Sequence, residues 1–261
     1  MIEIDPQLIR DVIARGKRAD NRDFDEYREI SVEKGAVYTA DGSARVHIGE
    51  TEVVCGVKFE LGKPFADTPD EGVLMVSTEF VPLASPEFEA GPPGEEAIEV
   101  SRVVDRAIRE SKVIDFKKLC ITPKEKVWMV YVDIDVLDDD GNLIDASSLA
   151  AIAALMGAKI PDLDENGEII REKKGMQKLE LLGLPLSTTI VKIADKLLAD
   201  PNLSETQALD ARVTVGTFEK DGATYLCSMQ KGGFVGITAE ELDSILDLAE
   251  KKGNELRRLL E

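Results

Sequence analysis

Apolar and polar positions fall into two registers along this chain, and Asx-Gly pairs punctuate them. Asp41-Gly42 separates GAVYTA from ARVHIG, and Asp140-Gly141 follows the run VWMVYVDIDVL. Asn166-Gly167 and Asp221-Gly222 fall between further strand-like segments. Such pairs supply the positive φ angles of tight hairpins, so each is read as a turn between strands. After the breaker GPPG (91–94) the period changes. Over 95–110, Ala97, Val100, Val103, Val104, Ala107 and Ile108 recur on one helical face. Residues 146–156, ASSLAAIAALM, are small and apolar nearly all round, as in a helix buried against a sheet. Thr238 and Glu241 form a capping box ahead of Leu242, Ile245, Leu246 and Ala249, with Gly253 as a point of interruption. The segment 186–198 has a strand-like β-branched start and an end that fits either element.

Strand groups alternate with helices, and no low-complexity tract or linker intervenes. This predicts an α+β fold, helices on sheets, in one domain over 1–261 with halves of about 1–157 and 158–261.

Composition narrows the function. The formal net charge is −19 over 261 residues. Most non-specific nucleic-acid affinity comes from neutralising phosphates, so any RNA contact here needs a local basic stripe or a basic partner. His47 is the single histidine, which excludes His-based triads and multi-His metal sites. It sits in the alternating strand ARVHIG as a solvent-facing or structural group. Cys55, Cys120 and Cys227 are dispersed, as expected of packing thiols in a reducing compartment. No apolar run approaches the roughly 18 residues of a membrane span, and the start of the chain lacks a signal-peptide core. The cytoplasm is the expected location.

Several motifs dissolve on inspection. The DDDGN run (138–142) fails as a calcium loop, because Val136 and Ser147 occupy its first and closing ligand positions. QKGGFVG (230–236) lacks the Lys-Ser/Thr step of a phosphate loop and reads as a strand-end turn. Trp128 and Met129 lie in a strand pattern and belong to the core. Arg102, Arg106 and Arg109, at i, i+4 and i+7, fall within an arc of roughly 60° opposite the apolar face. On the residues alone this is a solvated face with ion pairs: Glu99 with Arg102, Asp105 with Arg109, Glu110 with Arg106.

Longer motifs carry a resemblance. RADNRDFDEYREISVEKG (18–35), ADGSARVHIGETEVVCGVK (40–58), FEAGPPGEEAIEVSRVVDRAIRESKVIDFKKLCI (88–121) and KVWMVYVDIDVLDDDGNLIDASSLAAIAAL (126–155) resemble the RNase PH family, in the family's order. DGNLIDASSLAAIAAL and QKGG resemble the non-catalytic subunit of the archaeal exosome within it. The resemblance implies an RNase PH-like fold (ribosomal protein S5 domain 2-like) of two pseudo-symmetric β-α halves. It also implies a hexameric ring of three heterodimers with an active sister, S1 and KH cap subunits, and degradation of single-stranded RNA from the 3′ end. Inorganic phosphate and a divalent metal are expected in the sister, with no cofactor in this chain.

The resemblance also shows a site emptied of its chemistry. In DPNLSETQALDAR (200–212) the family's two aspartates correspond to Thr206 and Arg212, and its Gly-Thr-Arg phosphate cradle to LDDDGNLIDASS. Glu95 and Glu96 stand where active sisters carry an RNA-gripping arginine pair, although acids there also suit the first turn of a helix. Asp200, Glu205 and Asp210 remain nearby as a solvated charge run or a different metal site. Arg102 and Arg106 match positions that the family's non-catalytic subunit presents to RNA, and Arg109 joins them by helical geometry. The expectation is a subunit without intrinsic catalysis. The alternatives are an active RNase PH-type exonuclease, a small-molecule kinase, and an architectural subunit without RNA contact.

Overall fold

In the computed structural model, which describes residues 5–171 and 175–261, period-two burial builds the first sheet. Its strands are β1 (Ile30–Lys34), β2 (Gly42–Ile48), β3 (Thr51–Gly62), β4 (Val73–Phe80), β5 (Cys120–Thr122) and β6 (Lys126–Asp138). They run in the order β1-β2-β3-β6-β4, with β5 paired to β6. Only β4 is parallel to its neighbour. In β3, Val53, Cys55, Val57 and Phe59 point inward and the residues between them face out, which fixes the register. Trp128 on β6 is buried, its ring edge-on to Phe59. His47 is part-exposed on β2, 3.9 Å from Glu52.

Helix α1 (Pro6–Ala14) precedes this sheet, α2 (Glu95–Glu110) follows β4, and α3 (Leu143–Gly157) follows β6. The six apolar positions read for α2 are its six buried residues. Helix α3 buries Ile144 through Leu155 without a break, because it packs on β2 and β3 on one side and on the second sheet on the other. Small residues all round are what such a position requires.

A two-residue ladder, β7 (Lys159–Ile160) with β8 (Gln177–Lys178), leads to the second sheet. This comprises β9 (Leu186–Ile193), β10 (Lys196–Ala199), β11 (Ala211–Lys220) and β12 (Ala223–Gly233), antiparallel in the order β10-β9-β11-β12. Helix α4 (Leu203–Ala208) joins β10 to β11, and α5 (Ala239–Arg258) packs on β9 and β11. The main core runs from Ala44 and Val130 in the first sheet through α3 to Leu186 and Leu256.

Three expectations change and one open reading is resolved. GAVYTA forms no strand, and Asp41-Gly42 is no hairpin turn: Gly42 opens β2, where a Cβ would lie 2.5 Å from the Ala154 carbonyl of α3. Asp140-Gly141 leads from strand to helix, with positive φ at Gly141 and Asn142. Gly253 leaves α5 unbroken and gives room for the Thr217 hydroxyl. The ambiguous 186–198 is two strands turning at Ala194 and Asp195, both at positive φ. Asp221-Gly222 is the hairpin its sequence indicates. Helices α1 and α4 were not anticipated, although Asp5-Pro6 and the Asn202–Glu205 capping box mark their starts.

Candidate functional site

Helix α2 begins after Gly94 without a side-chain cap, and Glu95 and Glu96 occupy its first turn, where carboxylates complement the helix dipole. Its apolar face is fixed on β4, β12 and α3. That anchoring sends Arg102, Arg106 and Arg109 to the exposed side. Of the three helical ion pairs expected, one forms. Arg109 donates to Asp105 at 2.6 Å and to the Leu74 carbonyl at 3.1 Å. The Asp105 carboxylate raises the Arg109 pKa above its ordinary value.

Glu99 turns away from Arg102 and accepts from Arg212 at 2.5 Å and from Gln230 at 3.3 Å. Among the described residues, Arg102 and Arg106 form neither ion pair nor hydrogen bond. They border two depressions. One, of about 320 Å³, lies against β12 beside Ile98, Met229 and Gln230. The other, of about 290 Å³, lies beside Val76 and Arg109. Two unneutralised guanidinium groups on a chain of net charge −19 constitute a local basic stripe.

Thr206 and Arg212 lie on the other side of Glu99. Thr206 of α4 and Arg212 of β11 border a cavity of about 340 Å³ together with Glu87, Glu96, Asp139 and Asn142. Neither the Thr206 hydroxyl nor Arg212 Nε has a partner among the described residues. Of the three aspartates in the 138–140 run, only Asp139 borders the cavity. Asp138 is exposed and Asp140 pairs with Arg28 at 3.0 Å. Burial raises the Asp139 pKa, and the charges of Asp140, Glu96 and Glu87 raise it further against a bond from the Gly141 N–H.

Asp200, Glu205 and Asp210 prove neither solvated nor grouped around a common point. Asp200 and Glu205 are fully buried. Arg18 meets Glu205 through Nε at 2.9 Å and Nη2 at 2.6 Å, and also donates to the carbonyls of Ala199 and Asp200. Arg22 and Arg28 each reach Asp200 at 2.8 Å. Burial pushes the Asp200 pKa up, but the Arg28 bonds and charge outweigh it and hold it below the ordinary value. Asp210 lies apart, with Arg10 at 2.9 Å and the Ala194 N–H. Arginines hold all three carboxylates, and among the described residues no three acidic, Cys or His side chains group around a metal position. Thr206 and Arg212, one neutral and one cationic, do not fit a divalent ion either.

Sequence reading missed the arginines that hold this acidic loop. Arg18, Arg22 and Arg28 lie within the stretch that carries the resemblance, but their partners in this loop are more than 170 residues away, and no periodicity marks such pairs. Tyr27 and Asp145 were missed too. The Tyr27 hydroxyl donates to Asp145 at 2.6 Å, and Thr189 and Asn142 donate to the same carboxylate. Gly233 ends β12 at positive φ, and a Cβ there would lie 2.7 Å from the Asp210 carbonyl. QKGG is thus a strand end.

Comparison with known proteins bears on this geometry. A family model for domain 1 of the 3′ exoribonuclease family matches residues 26–161, and the model for domain 2 matches 183–252. The chain is 49% identical over 260 residues to the "Exosome complex component Rrp42" of Methanocella arvoryzae, covering 99% of this chain and 96% of that protein. A chain of the Archaeoglobus fulgidus exosome with RNA bound to the active site superposes with a TM-score of 0.90 at 42% identity, covering 98% of this chain and 97% of its own length. A chain of an archaeal exosome core gives 0.84 at 39% identity, with the same coverage.

Proposed function

Because this chain belongs to the 3′ exoribonuclease family and has its RNase PH-like fold, we propose that it is the non-catalytic ring subunit of an archaeal exosome. In this reading it pairs with a catalytic RNase PH-like sister, closes a hexameric ring with it, and guides single-stranded RNA to the sister's site. S1 and KH caps complete the complex in the cytoplasm. Residues 1–261 act as one domain of two related halves.

The observation that carries the reading is the charge of the emptied cleft. Phosphorolysis needs a phosphate dianion held in line with the scissile bond, and positive charge for the equatorial oxygens as they gain charge. Here Glu87, Glu96 and Asp139 face the space, and the one arginine there is neutralised by Glu99. An anion entering would meet repulsion and no free donor charge. Arg102 and Arg106 are the reverse: exposed, unpaired among the described residues, and at positions where the resemblance implies RNA contact. The edge strand β12 exposes Tyr225, Leu226 and Met229 on one sheet margin, which is characteristic of a strand covered by a partner.

The test is reconstitution. The purified chain, with magnesium or manganese and inorganic phosphate, releases no nucleoside diphosphate from RNA, whereas the ring assembled with its sister does. Phosphorolysis by the chain alone that is lost on changing Asp139 or Arg212 would overturn the proposal. An autonomous exonuclease is the reading this reconstitution discriminates against, because it requires an anion to enter a cleft bordered by Glu87, Glu96 and Asp139.

A further inference from the structure

Arg102 has two acidic neighbours on its own helix, Glu99 three residues before it and Asp105 three residues after. On an α-helix that spacing brings side chains within ion-pair reach. Neither acid pairs with it. Arg109 takes Asp105, through Nε at 3.1 Å and Nη2 at 2.6 Å. Arg212 Nη2 takes Glu99 at 2.5 Å, with Gln230 Nε2 at 3.3 Å on the same oxygen. We propose that Arg212 is a positioning residue for RNA: by holding Glu99 aside, it leaves the Arg102 guanidinium free for a phosphate. The inference rests on the proposed RNA contact of Arg102, and it places a determinant of that contact in the other half of the chain.

The path of the Arg212 side chain suits this role. Arg212 on β11 stands opposite Gly232 of β12, the strand against which α2 packs. A Cβ at Gly232 would lie 3.1 Å from Arg212 Nη2 and 3.4 Å from both Cζ and Nε. The guanidinium thus crosses a bare stretch of β12 on its way to α2, and a larger residue at 232 would crowd it off that path. Glu99, its target, borders both the cavity of Arg212 and the one shared by Arg102, Arg106 and Gln230. It stands at the boundary between the emptied cleft and the basic stripe.

The competition for Glu99 favours Arg212. The side chains of this pair are only 21% and 32% exposed, so their attraction is screened less than that of an exposed helical pair. Arg102 lies in solvent. Loss of Arg212 has two effects of the same sign. The Glu99 carboxylate turns along α2 to Arg102, and its uncompensated charge repels a phosphate at the same stripe.

Two measurements test this, and one needs no RNA. In the full chain alone, arginine side-chain NMR reads rotation of the Arg102 guanidinium. We expect fast rotation in the parent chain, slowed rotation in Arg212→Met, and fast rotation again when Glu99→Gln is added. In the reconstituted ring, without phosphate, a fluorescent oligoadenylate is titrated over a range of potassium chloride concentrations. Arg212→Met weakens binding about threefold and reduces the salt slope by up to about 0.7, the share of one phosphate contact on a single strand. Adding Glu99→Gln returns both to the parent values, and Arg212→Lys, which keeps the charge, stays near them. Arg102 rotation unmoved by Arg212→Met would overturn the proposal and leave the subunit reading standing. A loss of RNA binding that persists with Glu99→Gln would overturn it too, since Arg212 would then touch RNA itself or only support the fold. Slowed rotation with unchanged RNA binding would overturn it together with the RNA contact of Arg102.

Discussion

Arg18 is a fully buried cation whose donors reach Glu205 and the carbonyls of Asp23, Glu26, Ala199 and Asp200. Removing one member of such a pair strands the other charge away from water. Arg18→Ala is expected to cost about 3–5 kcal/mol, read as a lower denaturation midpoint. Asp145 governs a pH response. Burial raises it to about 6 from 3.8, against donation by Tyr27, Thr189 and Asn142. The folded state then holds this proton more tightly than the unfolded chain. The stability from this group is full below pH 3.8 and is lost as pH rises toward 6. Asp200 acts oppositely, stabilising above its ordinary pKa and losing that contribution as pH falls below it. Asp145→Asn is expected to be less stable than wild type, and to show a flatter stability profile between about pH 4 and 6. Replacing Arg102 and Arg106 together by Ala should weaken RNA binding by the assembled ring and reduce its salt slope by about 1.4. An unchanged slope would mean that these arginines contact no phosphate. Arg109, already held by Asp105, should contribute less.

Elements were legible to different depths. Helix α2 was readable to the residue because one stripe is buried and one exposed, which is what periodicity reports. Its ion pairs were not, because the rival partner of Glu99 sits on β11, 113 residues away. The glycines teach a related point. Asp41-Gly42 has a turn signature, yet the β2–α3 approach decides the residue. Gly42→Ala should therefore destabilise by about 1–3 kcal/mol through overpacking, seen in thermal unfolding. Gly253→Ala would stabilise an exposed helix, but beside Thr217 it is expected to lower the midpoint. Helix α4 was missed because its acids were read as a solvated loop, although the Asn202 capping box was on view.

At the scale of the molecule, the family and the mixed sheet-and-helix architecture were readable in the sequence, whereas the residues that join the halves were not. Core residues from both sheets meet across α3, and Arg18, Arg22 and Arg28 tie the first thirty residues to the β10–α4 loop. One cooperative unfolding transition is expected by calorimetry, and two resolved transitions would show that the halves fold separately. That joining also has a consequence during synthesis. Glu205 is made 187 residues after Arg18. At about 5–20 residues per second the amino-terminal arm waits roughly ten to forty seconds on the ribosome without its latch. A chaperone, or a partner subunit that arrives early, meets that arm while it is still loose.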